Sequence, residues 1–295
     1  MKKSLVKKYI LGLILFIFLT MMCCKRIEHF DNYMKSIRGK DYEEITYKDP
    51  KDKMYVKLSD IVVNEPAVFK NDILTIKKYT DLNNESVILD AGCGTGRNIL
   101  DIIKLYPDAR VEGVDISKNM IIQSRINNPG SNLLCASLAD NSLYKRESLS
   151  HILCMRMTLN ENSLKDIGKI LVNFNRWLKK GGYLVINIVD PNKLDPGPRA
   201  FSQYYKSDNN VKHSLTYFEG FTHDAWWEKV NNDFYKYCEK IMFSNKNFII
   251  RTTKYWIPPV NKILEYITNN GFKIKEIIDI DKFDRDNMSI YIFRK

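Results

Sequence analysis

The chain has 295 residues, of which 44% are hydrophobic, 12% aromatic and 27% charged. That is the make-up of a folded globular protein, and it excludes a disordered chain, a collagen-like fibre and a polytopic membrane protein. The formal net charge is +11, but residues 1–40 hold nine basic and two acidic residues and carry +7 of it, leaving +4 over the rest. In that remainder bases alternate with acids, so no stripe suits nucleic acid. The six cysteines are too few for a disulfide scaffold, and none forms a C-x-x-C pair, so no metal is expected.

Tyr9 to Cys24 runs for 16 positions without a charge, between Lys7-Lys8 and Lys25-Arg26. As a helix it would be ~24 Å long, short for a ~30 Å hydrocarbon core, although flanking basic side chains snorkel to the interface. Three readings compete: an uncleaved single-pass anchor, a cleaved signal peptide, and a lipoprotein signal ending at Cys23 or Cys24. The cleavage readings lack an A-x-A-like site, and Met22 is bulky where a lipobox needs a small residue. The anchor through residues 9–24 is therefore favoured, with Cys23-Cys24 open to palmitoylation. Both flanks are basic, so charge bias does not set the orientation. The chain divides into an anchor or signal segment (1–25), a linker or partly helical lead-in (26–60) and a domain (61–295) with an insertion at about 191–257.

Within the domain, Val68, Ile73, Ile76 and Tyr79 predict an amphipathic helix after Pro66, and Asn83-Asn84 a turn. Strand and helix signals then alternate. Val87–Leu89 is a strand running into a glycine loop, and Asn98–Tyr106 a helix. Arg110–Val114 is a second strand ending at Asp115, and Ser117 caps a helix through Arg125. Leu133–Cys135 and Leu149–Met155 are the third and fourth strands. Leu164–Leu178 is a long helix closed by Lys179-Lys180-Gly181-Gly182, since glycine is expected after a helix end. Tyr183–Val189 is a fifth strand, apolar enough for burial on both faces. Pro191, Pro196 and Pro198 make 191–215 a loop. Leu215–Ile257, rich in aromatic and β-branched residues, predicts antiparallel strands turning at Asn231-Asn232-Asp233. A helix over Val260–Asn269 ends at Gly271, and Phe272–Ile280 and Ser289–Phe293 are the last two strands. The pattern predicts an α/β fold: a doubly wound, seven-stranded, mostly parallel sheet with an antiparallel last strand, an inserted antiparallel β cover and an N-terminal transmembrane helix.

The most informative stretch is VILDAGCGTGRN, residues 87–98. Glycines at 92, 94 and 96 stand between a buried strand and a helix, where φ > 0 and close backbone approach to a ligand are needed. The spacing is G-x-G-x-G. It is not the dinucleotide G-x-G-x-x-G, because Asn98 stands where its last glycine would fall, and no Gly-Lys-Ser/Thr makes it a P-loop. Asp90, just ahead, disfavours a phosphate-bearing ligand and favours one carrying an amino group.

On these residues the chain resembles the class I S-adenosylmethionine-dependent methyltransferases of the small Rossmann-like type, over roughly residues 80–190 by motif and 255–295 by pattern. The resemblance implies S-adenosylmethionine as cofactor. Asp90, Gly92, Gly94 and Gly96, with Ala91 and Cys93 between them, would wrap its methionine part. Asp115 would hold the ribose hydroxyls and Ile116 would pack on the adenine. Where the family carries an acid for the adenine amino group, this chain has Ser137, so backbone from Ser137 and Leu138 would serve instead. Arg176 to Val185 and Leu264 to Phe272 match two further elements of the family.

Methyl transfer is an in-line displacement in which the protein supplies position and electrostatics, so the catalytic residue is left open. The slot after the fourth strand reads Met155-Arg156-Met157-Thr158, without the N-P-P-Y tetrapeptide, which disfavours exocyclic amines of nucleic acid. Asn160 and Glu161 either polarise a substrate or, the favoured reading, face solvent in a loop. The insertion is expected to cover the substrate. Its Tyr204, Tyr205, Tyr217, Phe218, Phe221, Trp226 and Trp227 either hold a small amine, phenol or lipid-like molecule or simply form core. His213 and His223 are candidate bases or ordinary surface histidines. The expected function is methyl transfer to a small molecule or lipid-proximal substrate at a membrane, with the domain facing the cytosol, where the cofactor is made. The alternatives are an inactive S-adenosylmethionine-binding module, motivated by Ser137, and a secreted or lipid-anchored form.

Overall fold

The structure is a computed structural model that describes residues 53–62, 66–194, 203–208, 211–218, 220–243, 248–279 and 288–295. The apolar segment 9–24, and with it the anchor and signal readings, lies outside them. Among the described residues no helix is long and apolar enough to cross a membrane.

Two helices open the described chain, α1 (Lys53–Val62) and α2 (Pro66–Tyr79). Residues 53–60, inside the stretch read as a linker or helical lead-in, are thus helix, with Val56 and Ser59 buried. Strand and helix then alternate through β1 (Val87–Ala91), α3 (Arg97–Leu105), β2 (Arg110–Asp115), α4 (Lys118–Asn127), β3 (Asn132–Cys135), β4 (Leu149–Cys154), α5 (Leu164–Trp177) and β5 (Leu178–Val189). An insertion follows, with β6 (Gln203–Asp208), β7 (Val211–Phe218), β8 (Phe221–Lys229), β9 (Phe234–Phe243) and β10 (Phe248–Trp256). The chain closes with α6 (Val260–Asn269), β11 (Lys273–Asp279) and β12 (Met288–Arg294).

The main sheet has the order β11-β12-β5-β4-β1-β2-β3. Strands β1 to β5 pair in parallel, and only β12 runs against its neighbours β5 and β11. The seven-stranded sheet with an antiparallel last strand is therefore as expected. Alternate residues of each central strand feed opposite faces. Leu89, Ile152 and Leu184 join Phe174, Trp177 and Ile267 of α5 and α6 on one side. Ile88, Leu153 and Val185 join Ile73, Ile76, Ile99 and Ile121 of α2, α3 and α4 on the other. The chain winds from β1 outward through β2 and β3, then crosses to β4 on the other side of β1. That reversal opens a crevice beyond the carboxyl ends of β1 and β4, the position where open α/β sheets bind ligands.

Two expectations need correction. Lys179-Lys180-Gly181-Gly182 is not a turn closing a helix: α5 runs straight into β5, and the pairing with β4 shifts register between Leu149 and His151. Gly181 has φ 72°, and its N–H donates to the Lys295 carbonyl at 3.1 Å, so the glycines form an irregularity sewn to the chain's end. The stretch 191–215 is also not all loop, since β6 and the start of β7 lie inside it. The insertion is a separate five-stranded antiparallel sheet in the order β10-β9-β8-β7-β6.

Candidate active site

β1 delivers Asp90 and Ala91 to the crevice. There the loop 92–96 is clipped to the end of β2, where the N–H groups of Gly92 and Cys93 both donate to the Val114 carbonyl, at 2.7 and 3.0 Å. All three loop glycines are left-handed, with φ of 75°, 54° and 81°. They are needed for different reasons. A Cβ on Gly92 would overlap the Thr158 side chain, and one on Gly96 would overlap Ser124 and Asn128. At Gly94, among the described residues, nothing stands within 4 Å of that position. Two glycines make room for protein, and the middle one leaves room for a ligand. α3 starts behind the loop with no side-chain cap from Gly96, which leaves its positive end facing the crevice.

Asp115 ends β2 and is buried. Its Oδ2 accepts from the Gly94 N–H at 2.9 Å and its Oδ1 from the Ser117 N–H at 2.8 Å. It is not the cap of α4; that is Ser117, whose hydroxyl accepts from the Met120 N–H at 3.3 Å. Asp115 is thus held at the rim by backbone donors, and next to it Ile116 is 69% exposed, an apolar platform with no core to cover it. Past β3, Ser137 spends its hydroxyl on the Ala139 N–H, and Leu138 turns its side chain into the core while its carbonyl takes the Asn173 amide at 2.9 Å. Cys93 is a buried packing residue whose thiol burial pushes far up.

Asp90 is 1% exposed. Its Oδ1 accepts from the Asn98 amide at 3.2 Å, and its Oδ2 has no hydrogen-bond partner among the described residues. Burial chiefly, with Asp115 adding to it, raises its carboxyl to about 7 against the pull of Asn98 and Arg156. An unpaired buried carboxylate oxygen beside an open glycine loop fits a ligand that brings an amino group. The residues expected at the methionine end, Asp90 to Gly96, and those at the ribose and adenine end, Asp115 and Ile116, therefore meet around one crevice.

The segment after β4 holds what sequence reasoning missed. Arg156 and Met157 are both left-handed, with φ of 57° and 65°, a conformation that costs a non-glycine residue roughly 1–2 kcal/mol. The turn is held by Asn187, buried in β5, whose Oδ1 accepts from the Arg156 N–H at 3.1 Å. The Arg156 guanidinium donates to Asp72 of α2 at 2.9 Å, and Thr158 Oγ1 donates to the Met155 carbonyl at 2.9 Å. The signal for Asn187 was a lone amide in the apolar run YLVINIV. Asn160, expected in solvent, is buried: its amide donates to the Trp256 carbonyl of β10 at 2.7 Å. Glu161 Oε1 lies 3.5 Å from the Tyr255 hydroxyl that donates to it. One 3-10 turn (Leu159–Glu161) thus ties the insertion to the site.

The insertion's histidines are both paired. His213 Nδ1 lies 2.9 Å from Asp224 and its ring stacks on Trp226. His223 Nε2 lies 3.0 Å from Glu239, which also meets Arg251, and the Arg251 guanidinium covers the Tyr55 ring of α1 at 3.8 Å. Burial works to raise the Glu239 carboxyl, and Arg251 with His223 outweighs it and holds it below its usual range. Of the aromatic residues, Tyr217 is exposed, Phe218 and Phe221 stack together, and Trp227 packs against Tyr237 and Tyr255. Among the described residues, no group of three or more His, Cys, Asp or Glu is placed to hold a metal.

Residues 88–182 match the family model of a methyltransferase domain. The seven-stranded sheet has the fold of the class I S-adenosylmethionine-dependent methyltransferases. Two curated relatives, trans-aconitate 2-methyltransferases of Rhodopseudomonas palustris strains BisA53 and BisB18, are each 38% identical over 58 residues. That stretch is 20% of this chain and 23% of theirs, so the likeness spans about a quarter of those relatives. Among solved structures, an S-adenosylmethionine-dependent methyltransferase from Clostridium acetobutylicum superposes with a TM-score of 0.60 at 14% identity, over 82% of this chain and 97% of its own. The amino pentose methyltransferase CalS10 from Micromonospora echinaspora, with its cofactor bound, gives 0.61 at 15% identity, over 86% and 100%. At these identities the likeness is one of fold.

Proposed function

We propose that the protein transfers a methyl group from S-adenosylmethionine to a small-molecule acceptor seated between the crevice and the inserted sheet. The observation that carries this reading is the glycine loop itself. Gly94 is left-handed yet backs onto open space, its N–H is on Asp115, and Oδ2 of Asp90, just before the loop in the chain, has no hydrogen-bond partner among the described residues. Asp90 and the loop backbone would hold the methionine part, and Asp115 with Ile116 the nucleoside. When bound, the cofactor supplies an electrophilic methyl group on a sulfonium. The chain's own part is to orient both reactants, exclude water with the inserted sheet, and present fixed dipoles where charge changes.

The reading extends to a tether: residues 9–24 hold the domain on a membrane, facing the cytosol. The support is the uncharged run with basic flanks, and the need of a cytosolic cofactor. Calorimetry with S-adenosylmethionine tests the core of the reading. Binding by the wild type and a loss of about 10- to 100-fold in Asp115→Ala are expected, the worth of one or two charged hydrogen bonds. Unchanged affinity in that variant would overturn it. Ser137, with its hydroxyl turned into its own loop, keeps open the second reading of a binding module without turnover. Cofactor binding without transfer of labelled methyl to any lysate or lipid fraction would favour that one.

A further inference from the structure

At the end of β5 the inserted sheet presents an aromatic cluster. Trp227 of β8 packs against Tyr237 of β9 with ring centroids 4.8 Å apart, and against Tyr255 of β10 at 5.5 Å in an edge-on arrangement. Trp227 and Tyr237 are half-buried, as is Met157, which packs on the same cluster together with Val189 at the end of β5. The cluster therefore lies at the carboxyl ends of β4 and β5, on the acceptor side of the site. Its polar member is Glu161, half-buried, which takes the Tyr255 hydroxyl at 3.5 Å. Glu161 belongs to the same short turn as Thr158, whose hydroxyl stands 3.5 Å from the Gly92 carbonyl, so one turn of chain separates this carboxylate from the glycine loop.

We propose that the acceptor is an organic amine, seated against the rings of Trp227, Tyr237 and Tyr255 with its nitrogen beside the Glu161 carboxylate. This rests on the methyl-transfer reading above. Ring faces carry the negative end of the aromatic quadrupole, and a carboxylate adds to it, so the rings and Glu161 together favour positive charge. The same wall repels a carboxylate acceptor. On the same face of the inserted sheet Arg251 meets Glu239 and the Tyr55 ring, and Lys229, opposite Tyr235, is exposed at the strand end.

The amine reacts in its neutral form. Its nitrogen lone pair makes the new N–C bond as the S–C bond breaks, and the electrons of the broken bond stay on sulfur. Positive charge thus passes from sulfur to nitrogen, where the ring faces and Glu161 stabilise it as it develops. The displaced N–H proton then goes to Glu161 and on to solvent.

The test uses the full chain in detergent micelles and two probes of similar size and opposite charge, tetramethylammonium and pivalate. Titration is followed by tryptophan fluorescence and calorimetry, with S-adenosylmethionine titrated into the same preparations. Tetramethylammonium is expected to bind and pivalate not to. Trp227→Leu and Glu161→Gln should each weaken the cation about three- to tenfold, the usual worth of one cation–π or ionic contact. Thermal melting checks that both variants fold, and if Trp227→Leu does not, the isosteric Glu161→Gln decides. Pivalate binding as tightly as the cation, or cation affinity unchanged in the folded variants, overturns the amine assignment. S-adenosylmethionine binding without tetramethylammonium binding overturns it alone and leaves the methyl-transfer reading standing. Cation binding without S-adenosylmethionine binding overturns the methyl-transfer reading instead.

Discussion

At the residue scale the group with most leverage is Asp90, because its charge is set by burial and not by a committed partner. Its folded carboxyl titrates at about 7, against 3.8 when exposed. Between those values the folded state holds a proton that the unfolded state has lost, so this group makes stability fall as pH rises from about 4 to about 7. Above pH 7 the ionised, half-paired carboxylate costs roughly 4 kcal/mol at most, three pH units of linkage. Asp90→Asn should therefore raise the melting midpoint of the ligand-free protein at pH 8 and change it little at pH 4. Cofactor binding should show the opposite sign. An incoming ammonium favours the ionised form, so affinity should climb with pH up to about 7 and then level, with close to one proton released near pH 6. Calorimetry in two buffers of different ionisation enthalpy measures that proton, and its persistence in Asp90→Asn would show that another group titrates.

At the scale of elements, the strained turn after β4 is held by parts that are distant in sequence: Asn187 in β5, Asp72 in α2 and the Trp256 carbonyl of β10. Asn187→Leu keeps the volume but leaves the Arg156 N–H without its acceptor. We expect a loss of about 1–3 kcal/mol in urea unfolding. We also expect a drop in the rate of methyl transfer that exceeds any change in cofactor affinity, because the turn carries Met157 and Glu161 towards the acceptor wall proposed above and not towards the proposed nucleoside end. Equal losses in both would mean that Asn187 only supports the fold. The same elements show what can be read from a sequence. The glycine loop, the Ser117 cap and the succession of strands and helices were legible because each is local chemistry repeated in a βα unit. The strand start at Leu178 was not, because Gly181 and Gly182 take their shape from Lys295, more than a hundred residues away. Nor was the burial of Asn160, which depends on β10 folding back over the site. β6 was hidden behind three prolines that marked only the loop before it.

At the scale of the whole molecule the two ends of the chemistry divide between segments. Residues 41–295 are close to charge balance and include the crevice, while +7 of the +11 lies in residues 1–40, around an apolar run outside the described residues. A basic, apolar segment of this kind holds a protein to a bilayer by burial, with the basic flanks adding attraction to anionic headgroups, and the two contributions separate experimentally. Attraction to headgroups is screened by salt within a Debye length, whereas burial of Tyr9 to Cys24 is not. The full chain should therefore stay in the membrane pellet through high salt and through alkaline carbonate. Leu15→Arg with Ile17→Arg places two charges in the middle of the run at about 2.5–3.5 kcal/mol each, and should move the protein to the soluble fraction. S-adenosylmethionine affinity should stay within about twofold, since neither position touches the crevice and distant sites act independently. Cys23→Ser with Cys24→Ser should leave the pellet unchanged if the run itself is the anchor, and should release the protein if an acyl chain holds it. Release of the wild type by salt alone would reduce the segment to an electrostatic contact. Protease protection of residues 30–295 in sealed vesicles then reports which side of the membrane the crevice, and hence its acceptor, must occupy.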